Sequence, residues 1–186
     1  IAFVNWGSLY YDGKGVEQNY SNAKHCYEEA AKLNLPQAFY MLGNLYRDGK
    51  GVEPDFTKAR KYYKKAAEYN EPNAFYGLGF LYHNGKGVVK DYNKARDYFL
   101  KAADLKLPAA FTKLGSIYYF GEGVGQDYKK AFAYYEKAAE FKEPNALYSL
   151  GIMYHYGNGV RQNESKAQDY YKEAFRNNFR PTNNEF

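Results

Sequence analysis

Five Gly-x-Gly-Val tetrads, opening at Gly13, Gly49, Gly85, Gly121 and Gly157, are the first candidates for chemistry in this chain. A glycine-rich loop can cradle phosphate. A dinucleotide fingerprint, however, needs a preceding strand and a third glycine, and a P-loop needs Gly-Lys-Ser/Thr; neither is present. Repetition at a fixed step reads instead as a connector. Ser21-Asn22-Ala23-Lys24 matches Ser-x-x-Lys, the nucleophile pair of penicillin-recognising enzymes. Its companion elements are missing, and Ser21 aligns with Thr57, Asn93, Lys129 and Ser165, a variable position. Of the three histidines, His83 and His155 hold the same place two repeats apart, four interhelix steps of about 8–10 Å each, too far to share a metal. No His, Asp or Glu set has ligand spacing, so no metal, no cofactor and no catalytic group is expected. Asn19-Tyr20-Ser21 and Asn163-Glu164-Ser165 satisfy the glycosylation sequon, but both asparagines stand where helix caps are needed. Lys58, Arg60, Lys61, Lys64 and Lys65 could meet phosphates, yet Tyr62 and Tyr63 interrupt them on the packing side. They read as a solvated outer face.

The elements that must position these residues recur. Gly7, Gly43, Gly79, Gly115 and Gly151 are 36 residues apart, and Ala23, Ala59, Ala95, Ala131 and Ala167 keep the same step. So do Pro36, Pro72, Pro108 and Pro144. Within a repeat the apolar spacing is helical twice over: Ala38, Leu42, Leu45 and Tyr46 make one face, and Ala59, Tyr63, Ala66 and Ala67 another. Pro36 suits a first helical turn and Gly49 a left-handed helix end. Asn19, Asp55, Asp91, Asp127 and Asn163 can cap the second helices. The second repeat is expected to hold helices at about 36–47 and 55–69, and no stretch reads as a strand. Gly43 and its equivalents lie inside the first helix, where glycine costs up to about 1 kcal/mol against alanine. That recurrence implies a neighbouring helix crossing too close for a β-carbon, with the aromatics filling wider spaces between repeats.

The expected fold is therefore all-α, a right-handed α-α superhelix of five 36-residue helix pairs, each stacked on the next. One solenoid domain is expected over 1–179, divided at 1–35, 36–71, 72–107, 108–143 and 144–179. Residues 180–186 would be a frayed tail or cap, with no sixth repeat. Ile1, Phe3 and Val4 stand where a preceding second helix would pack.

Composition narrows the function. With 23 Tyr, 13 Phe and 1 Trp the chain is 20% aromatic, which supplies ample area for burial and excludes disorder. No run of 18 apolar residues exists to span a bilayer, and the mean hydropathy is −0.76. The single cysteine, Cys26, allows no intrachain disulfide and leaves the redox compartment open. The start, Ile1-Ala2-Phe3, reads as a processed or excised piece. A net charge of +5 permits an acidic partner without demanding one.

The third repeat spells the full pattern as Pro72, Ala74, Leu78, Gly79, Leu81, Tyr82, then Gly85, Gly87, Val88, then Asp91, Ala95, Phe99, Ala102, Ala103. This closely resembles the Sel-one-like repeat (SLR) family over residues 1 to about 179. The departures are Phe99 where other copies have Tyr, and Trp6 where they have Leu. The resemblance implies a relative of the tetratricopeptide solenoids and a non-catalytic scaffold or adaptor that binds other proteins. The paired cysteines of the bacterial cysteine-rich branch are absent.

The residues that the helical pattern leaves over define the candidate site. First helices of such repeats line the concave surface, which gives three columns of groove residues. The first is Val4, Tyr40, Tyr76, Thr112, Tyr148; the second Ser8, Asn44, Phe80, Ser116, Ile152; the third Tyr11, Arg47, His83, Tyr119, His155. These positions vary while the core columns hardly change, and Phe80 and Ile152 are expected to be exposed. The primary reading is a protein or peptide partner captured in this aromatic groove, from Tyr40, Asn44 and Arg47 through Tyr148, Ile152 and His155. One rival is a cell-wall-active hydrolase by analogy with the cysteine-rich branch. The other is a nucleic-acid binder through the basic convex face, which salt dependence would separate from the first.

Overall fold

The computed structural model describes residues 2–180, and in them ten helices alternate with short connectors. The first helices of the repeats are α1 (Ala2–Asp12), α3 (Pro36–Asp48), α5 (Pro72–Asn84), α7 (Pro108–Phe120) and α9 (Pro144–Tyr156). The second helices are α2 (Tyr20–Lys32), α4 (Phe56–Ala67), α6 (Tyr92–Asp104), α8 (Tyr128–Ala139) and α10 (Glu164–Arg176). No strand occurs among the described residues. The expected second-repeat helices are both present, α4 being shorter at each end than 55–69. The chain divides into two compact units, Ile1–Leu105 and Lys106–Phe186. The tail beyond Arg180 lies outside the described residues.

Local chemistry sets each helix boundary. Asn19, Asp55, Asp91, Asp127 and Asn163 are extended, and each side-chain oxygen accepts from the N–H three residues on. Those N–H donors hold the carboxyls of Asp55, Asp91 and Asp127 below the usual range. Both sequon asparagines are thus engaged as caps. Gly49, Gly85, Gly121 and Gly157 end their helices in the left-handed conformation, as Gly49 at φ 67° illustrates. The second helices close differently. Asn34, Asn70, Lys106, Lys142 and Asn178 follow them with φ between 55° and 67°, a turn with no glycine to announce it.

Within the first unit α1–α2, α3–α4 and α5–α6 pack as pairs, with α2 on α3 and α4 on α5; in the second unit α7–α8 and α9–α10 pair, with α8 on α9. The apolar faces read from the sequence form the core. Ala23, Tyr27 and Ala30 of α2 meet Ala38, Leu42 and Leu45 of α3, and Ala59 and Tyr63 of α4 meet Leu78 and Leu81 of α5.

The recurrent mid-helix glycine is explained by a ring rather than a helix backbone. A β-carbon on Gly43 would lie 2.5 Å from Cε1 of Tyr63, and one on Gly79 would lie 2.6 Å from Cε1 of Phe99. Gly7, Gly115 and Gly151 meet Tyr27, Tyr135 and Tyr171 in the same way. The expectation of a neighbouring helix crossing too close for a β-carbon is corrected accordingly. The second-helix ring lies flat on the glycine of its own repeat, where a β-carbon would displace it.

Candidate functional site: the first-helix columns

Most of the candidate groove residues are anchored from behind by second-helix side chains, Thr112 and Arg47 being held elsewhere. In the first column, Tyr40 lies against Tyr63 with centroids 5.9 Å apart, and Tyr76 against Phe99 at 5.3 Å. In the second unit Tyr148 lies against Tyr171 at 5.2 Å and stacks on Phe179 at 4.1 Å. Thr112 donates instead to Glu143 Oε2 at 2.8 Å. These residues are half-buried, one face on the core and one in solvent.

The second column is tied to the hydroxyls of the second-helix tyrosines. Tyr63 donates to Asn44 Oδ1 at 2.7 Å, and the hydroxyls of Ser8 and Tyr27 and of Ser116 and Tyr135 lie 3.4 and 3.3 Å apart. In the third repeat neither position is polar: Phe80 stands where Asn44 does, and Phe99, 19 residues on, has no hydroxyl. In four of the five repeats this column matches the polarity of the residue 19 on, Ile152 with Tyr171 being the exception, so variation alone does not mark a ligand surface. Asn44, only 7% exposed, belongs to the core. Phe80 and Ile152, expected in solvent, are half-buried, and Phe80 packs on the cluster of Ala59, Tyr63, Leu78 and Leu81. The expectation that all three columns point off the core is corrected, because the bulky second-helix rings reach through to them. Pairing positions 19 apart in the sequence would have found this.

The third column packs on the residue that opens the second helix. Tyr11 meets Tyr20 edge-on, His83 meets Tyr92, and Tyr119 meets Tyr128, at 5.1–5.4 Å. Where α10 opens with Glu164, His155 replaces the ring contact by a 2.7 Å contact of Nδ1 to Glu164 Oε2. Gln168 and then His155 hold the Glu164 carboxyl below the usual range. Arg47 forms a bidentate pair with Asp48 (2.6 and 2.8 Å), which raises its already high pKa, and its guanidinium lies 5.8 Å from the Phe80 centroid. Lys50 of the second-repeat connector donates to Tyr11 Oη at 2.8 Å, and Asn158 does the same to Tyr119.

Burial pushes the Tyr27 phenol up to about 12 and raises that of Tyr63 further. Both are neutral hydrogen-bonding groups at ordinary pH. No group of three or more His, Cys, Asp or Glu that could hold a metal occurs among the described residues, and no helix is long and apolar enough to cross a membrane. Within the basic run, Lys58 pairs with Asp55 and lies 5.2 Å from the Tyr46 centroid, Lys65 lies 5.4 Å from that of Phe39, and Lys61 and Lys64 are exposed.

The Sel1 repeat profile matches residues 4–35, 36–68, 72–107, 108–140 and 144–179. Among solved structures, the chain is similar to a Sel1 repeat protein from Oxalobacter formigenes, at 36% identity and a TM-score of 0.88, covering 95% of this chain and 72% of that one. It is similar to a protective antigen of uropathogenic Escherichia coli with an SLR fold, at 31% identity and a TM-score of 0.81, covering 95% of this chain but only 38% of the antigen. It is also similar to the Helicobacter pylori cysteine-rich protein B, at 30% identity and a TM-score of 0.54, over 68% of this chain and 90% of that one. Among curated proteins no match is found.

Proposed function

This chain belongs to the Sel1 repeat family, and from that premise we propose that it is a scaffold that captures a partner protein or peptide on its first-helix columns. Sel1 repeat proteins generally mediate protein–protein interaction and are generally non-catalytic. In the first unit the capturing residues are Tyr40, Arg47, Tyr76, Phe80 and His83, with Asn44 buried behind them. In the second they are Thr112, Ser116, Tyr119, Tyr148, Ile152 and His155.

The observation that carries this reading is the anchoring of half-exposed rings by buried ones. Tyr76 rests on Phe99, and Phe80 rests on the Tyr63 cluster beneath Arg47. A ring already fixed from behind loses little rotamer freedom when a partner covers its other face, so more of the contact energy appears as affinity. Asn44 acts as a brace for Tyr63, and Arg47, neutralised by Asp48, as a flat stacking surface. The hydrolase alternative is not favoured: Ser21 is an exposed residue, and Lys24 pairs with Glu28 at 3.0 Å.

The test is selection of displayed random peptides on the intact chain, followed by titration against two variants. Tyr76→Thr and Phe80→Ile place at these positions residues that the fourth and fifth repeats already carry, which protects the fold. Together they are expected to weaken selected peptides about 30-fold or more. Unchanged affinity would refute the groove. A larger loss on Lys61→Gln with Lys64→Gln, together with a steep salt dependence, would transfer the function to the basic face.

A further inference from the structure

Four repeats share a stacked pair of tyrosines, and what changes between them is the charge around it. Tyr46–Tyr62, Tyr82–Tyr98, Tyr118–Tyr134 and Tyr154–Tyr170 each stack with centroids 5.6 Å apart. A lysine from the first turn of the second helix lies over the first ring of each pair, as Lys94 does at 5.7 Å from the Tyr82 centroid.

The preceding second helix supplies the rest of the surroundings. In the first unit Tyr62 lies in the fields of Lys24 and Glu28 of α2, which pair with each other at 3.0 Å. At the matching places α4 has Arg60 and Lys64, and α8 in the second unit has Phe132 and Glu136. The phenols record the difference. Burial and then Tyr82 raise Tyr98, while Arg60 and Lys94 pull it down. Burial and then Tyr154 raise Tyr170, and Glu136 and Glu173 push the same way. One pair sits among cations, the other among carboxylates.

The cationic pair is built from three helices. Tyr98 of α6 packs on the cluster of Ala59, Tyr63, Leu78 and Leu81, which α4 and α5 form. Lys101 lies 5.8 Å from the Tyr98 centroid, and Arg60 is half-buried. Lys94 has Asp91 at 3.0 Å, but Arg60, Lys64 and Lys101 have no carboxylate partner among the described residues. A partly desolvated cation without a counter-ion is unfavourable, and an anion from outside relieves it. A guanidinium fork, a phenolic O–H and two ammonium groups around one ring suit a tetrahedral oxyanion of about two charges.

The charge is also local. Glu28 offsets it at the Tyr46–Tyr62 pair, and Glu136 and Glu173 reverse it at Tyr154–Tyr170. A polyanion releases counterions along a continuous basic track, so one compact group is the better match. Lys64 and Lys101 are exposed, so a free phosphate would stay hydrated and weakly held. The chain that bears the phosphate must add contacts, and half-buried Tyr82 and Tyr98 offer them.

We propose that Arg60, Lys64, Tyr98 and Lys101 bind a phosphorylated side chain of a partner polypeptide. Arg60 supplies the bidentate fork, Tyr98 a hydroxyl donor, and the two lysines the remaining charge. This site lies on the second helices and is independent of the first-helix columns.

The probe is a peptide library with phosphoserine fixed at its centre, bound to the intact chain beside the same library with serine or glutamate there. The phosphorylated library is expected to bind about tenfold more tightly or better, and Arg60→Gln should remove that advantage. Arg60→Phe with Lys64→Glu installs the α8 residues and should do the same in a chain that a melting curve shows to be folded. Lys24→Gln, at the matching place of α2, and Tyr76→Thr with Phe80→Ile on the columns should leave the advantage intact. Equal binding of the three libraries overturns the proposal, and so does an advantage that survives both Arg60 variants or falls with the column pair. Inorganic phosphate binding as tightly as the phosphopeptides would make this a site for a free anion and overturns it too. A single-stranded RNA that binds more tightly and is lost with Arg60→Gln overturns it in favour of nucleic acid.

Discussion

The second and third repeats solve the same packing problem with opposite chemistry. In both, a glycine of the first helix receives the flat face of a second-helix ring: Gly43 under Tyr63 and Gly79 under Phe99. In the second repeat that ring ends in a buried hydroxyl, and Asn44 is present to accept from it. In the third the hydroxyl is gone, and Phe80 stands where the amide was. The glycine–ring contact is thus the invariant part of the scaffold, and between these two repeats the residue beside it changes together with its partner. Polarity in a core is conditional on pairing, because an unpaired buried hydroxyl is far more costly than a paired one is favourable.

The strongest challenge to the shared part is to crowd it. Gly43→Val and Gly79→Val each drive side-chain atoms into a ring that nothing else can accommodate, and each is expected to destabilise by about 3 kcal/mol. Equal losses in chemical denaturation would establish one scaffold in two repeats. If either variant unfolds at the wild-type denaturant concentration, the glycine has no such role in that repeat.

The unequal part answers to single atoms. Tyr63→Phe leaves Asn44 without its donor and should cost about 1–2 kcal/mol, while Phe99→Tyr buries a hydroxyl in a repeat that has Phe80 in place of the accepting amide and should cost about as much. Alkaline titration separates the two repeats further. Burial raises the Tyr63 phenol above its unfolded value near 10, so the folded state holds the proton longer, and that stability is present below about pH 10 and lost as pH rises beyond it. Tyr63→Phe should flatten the fall in stability above pH 10, whereas Phe99→Tyr should steepen it. Equal slopes in all three proteins would sink this account. Next in size is the coupling: Phe80→Asn should rescue Phe99→Tyr by about 1 kcal/mol in a double-mutant cycle. A coupling of zero would mean that the two positions do not sense one another.

Much of the scaffold was legible in the sequence because it repeats. Periodic alanines and leucines, a proline at the first turn of α3, α5, α7 and α9, an Asx cap and a glycine stop each name one position of a helix pair, and each was found in place. The candidate site was legible only as columns. Helical periodicity says which way a side chain leaves its own helix but nothing of what arrives from the next one, so Asn44 was read as surface although Tyr63 buries it. The left-handed turns at Lys106 and Lys142 were missed for a related reason, since lysine carries no local preference for that conformation and tertiary packing sets it.

The outer faces of the two repeats supply the smallest contrast. Lys61 and Lys64 of α4 correspond to Asp97 and Leu100 of α6, so one repeat presents a basic run and the other does not. Both lysines are exposed, and in high dielectric at physiological salt their fields fade within about 8 Å. Lys61→Asp with Lys64→Leu makes the second repeat resemble the third on this face while leaving Tyr62 and Tyr63 in place. Stability should move by no more than about 0.5 kcal/mol, and peptides selected on the first-helix columns should change affinity by less than about twofold. The columns and this run lie on different helices, so a ligand gripped by Tyr76 and Phe80 has no short-range reason to sense it. A tenfold loss that disappears in high salt would instead show the partner reaching the outer face of the second repeat. The comparison of the two repeats would then turn on their charge and not on their buried pairs.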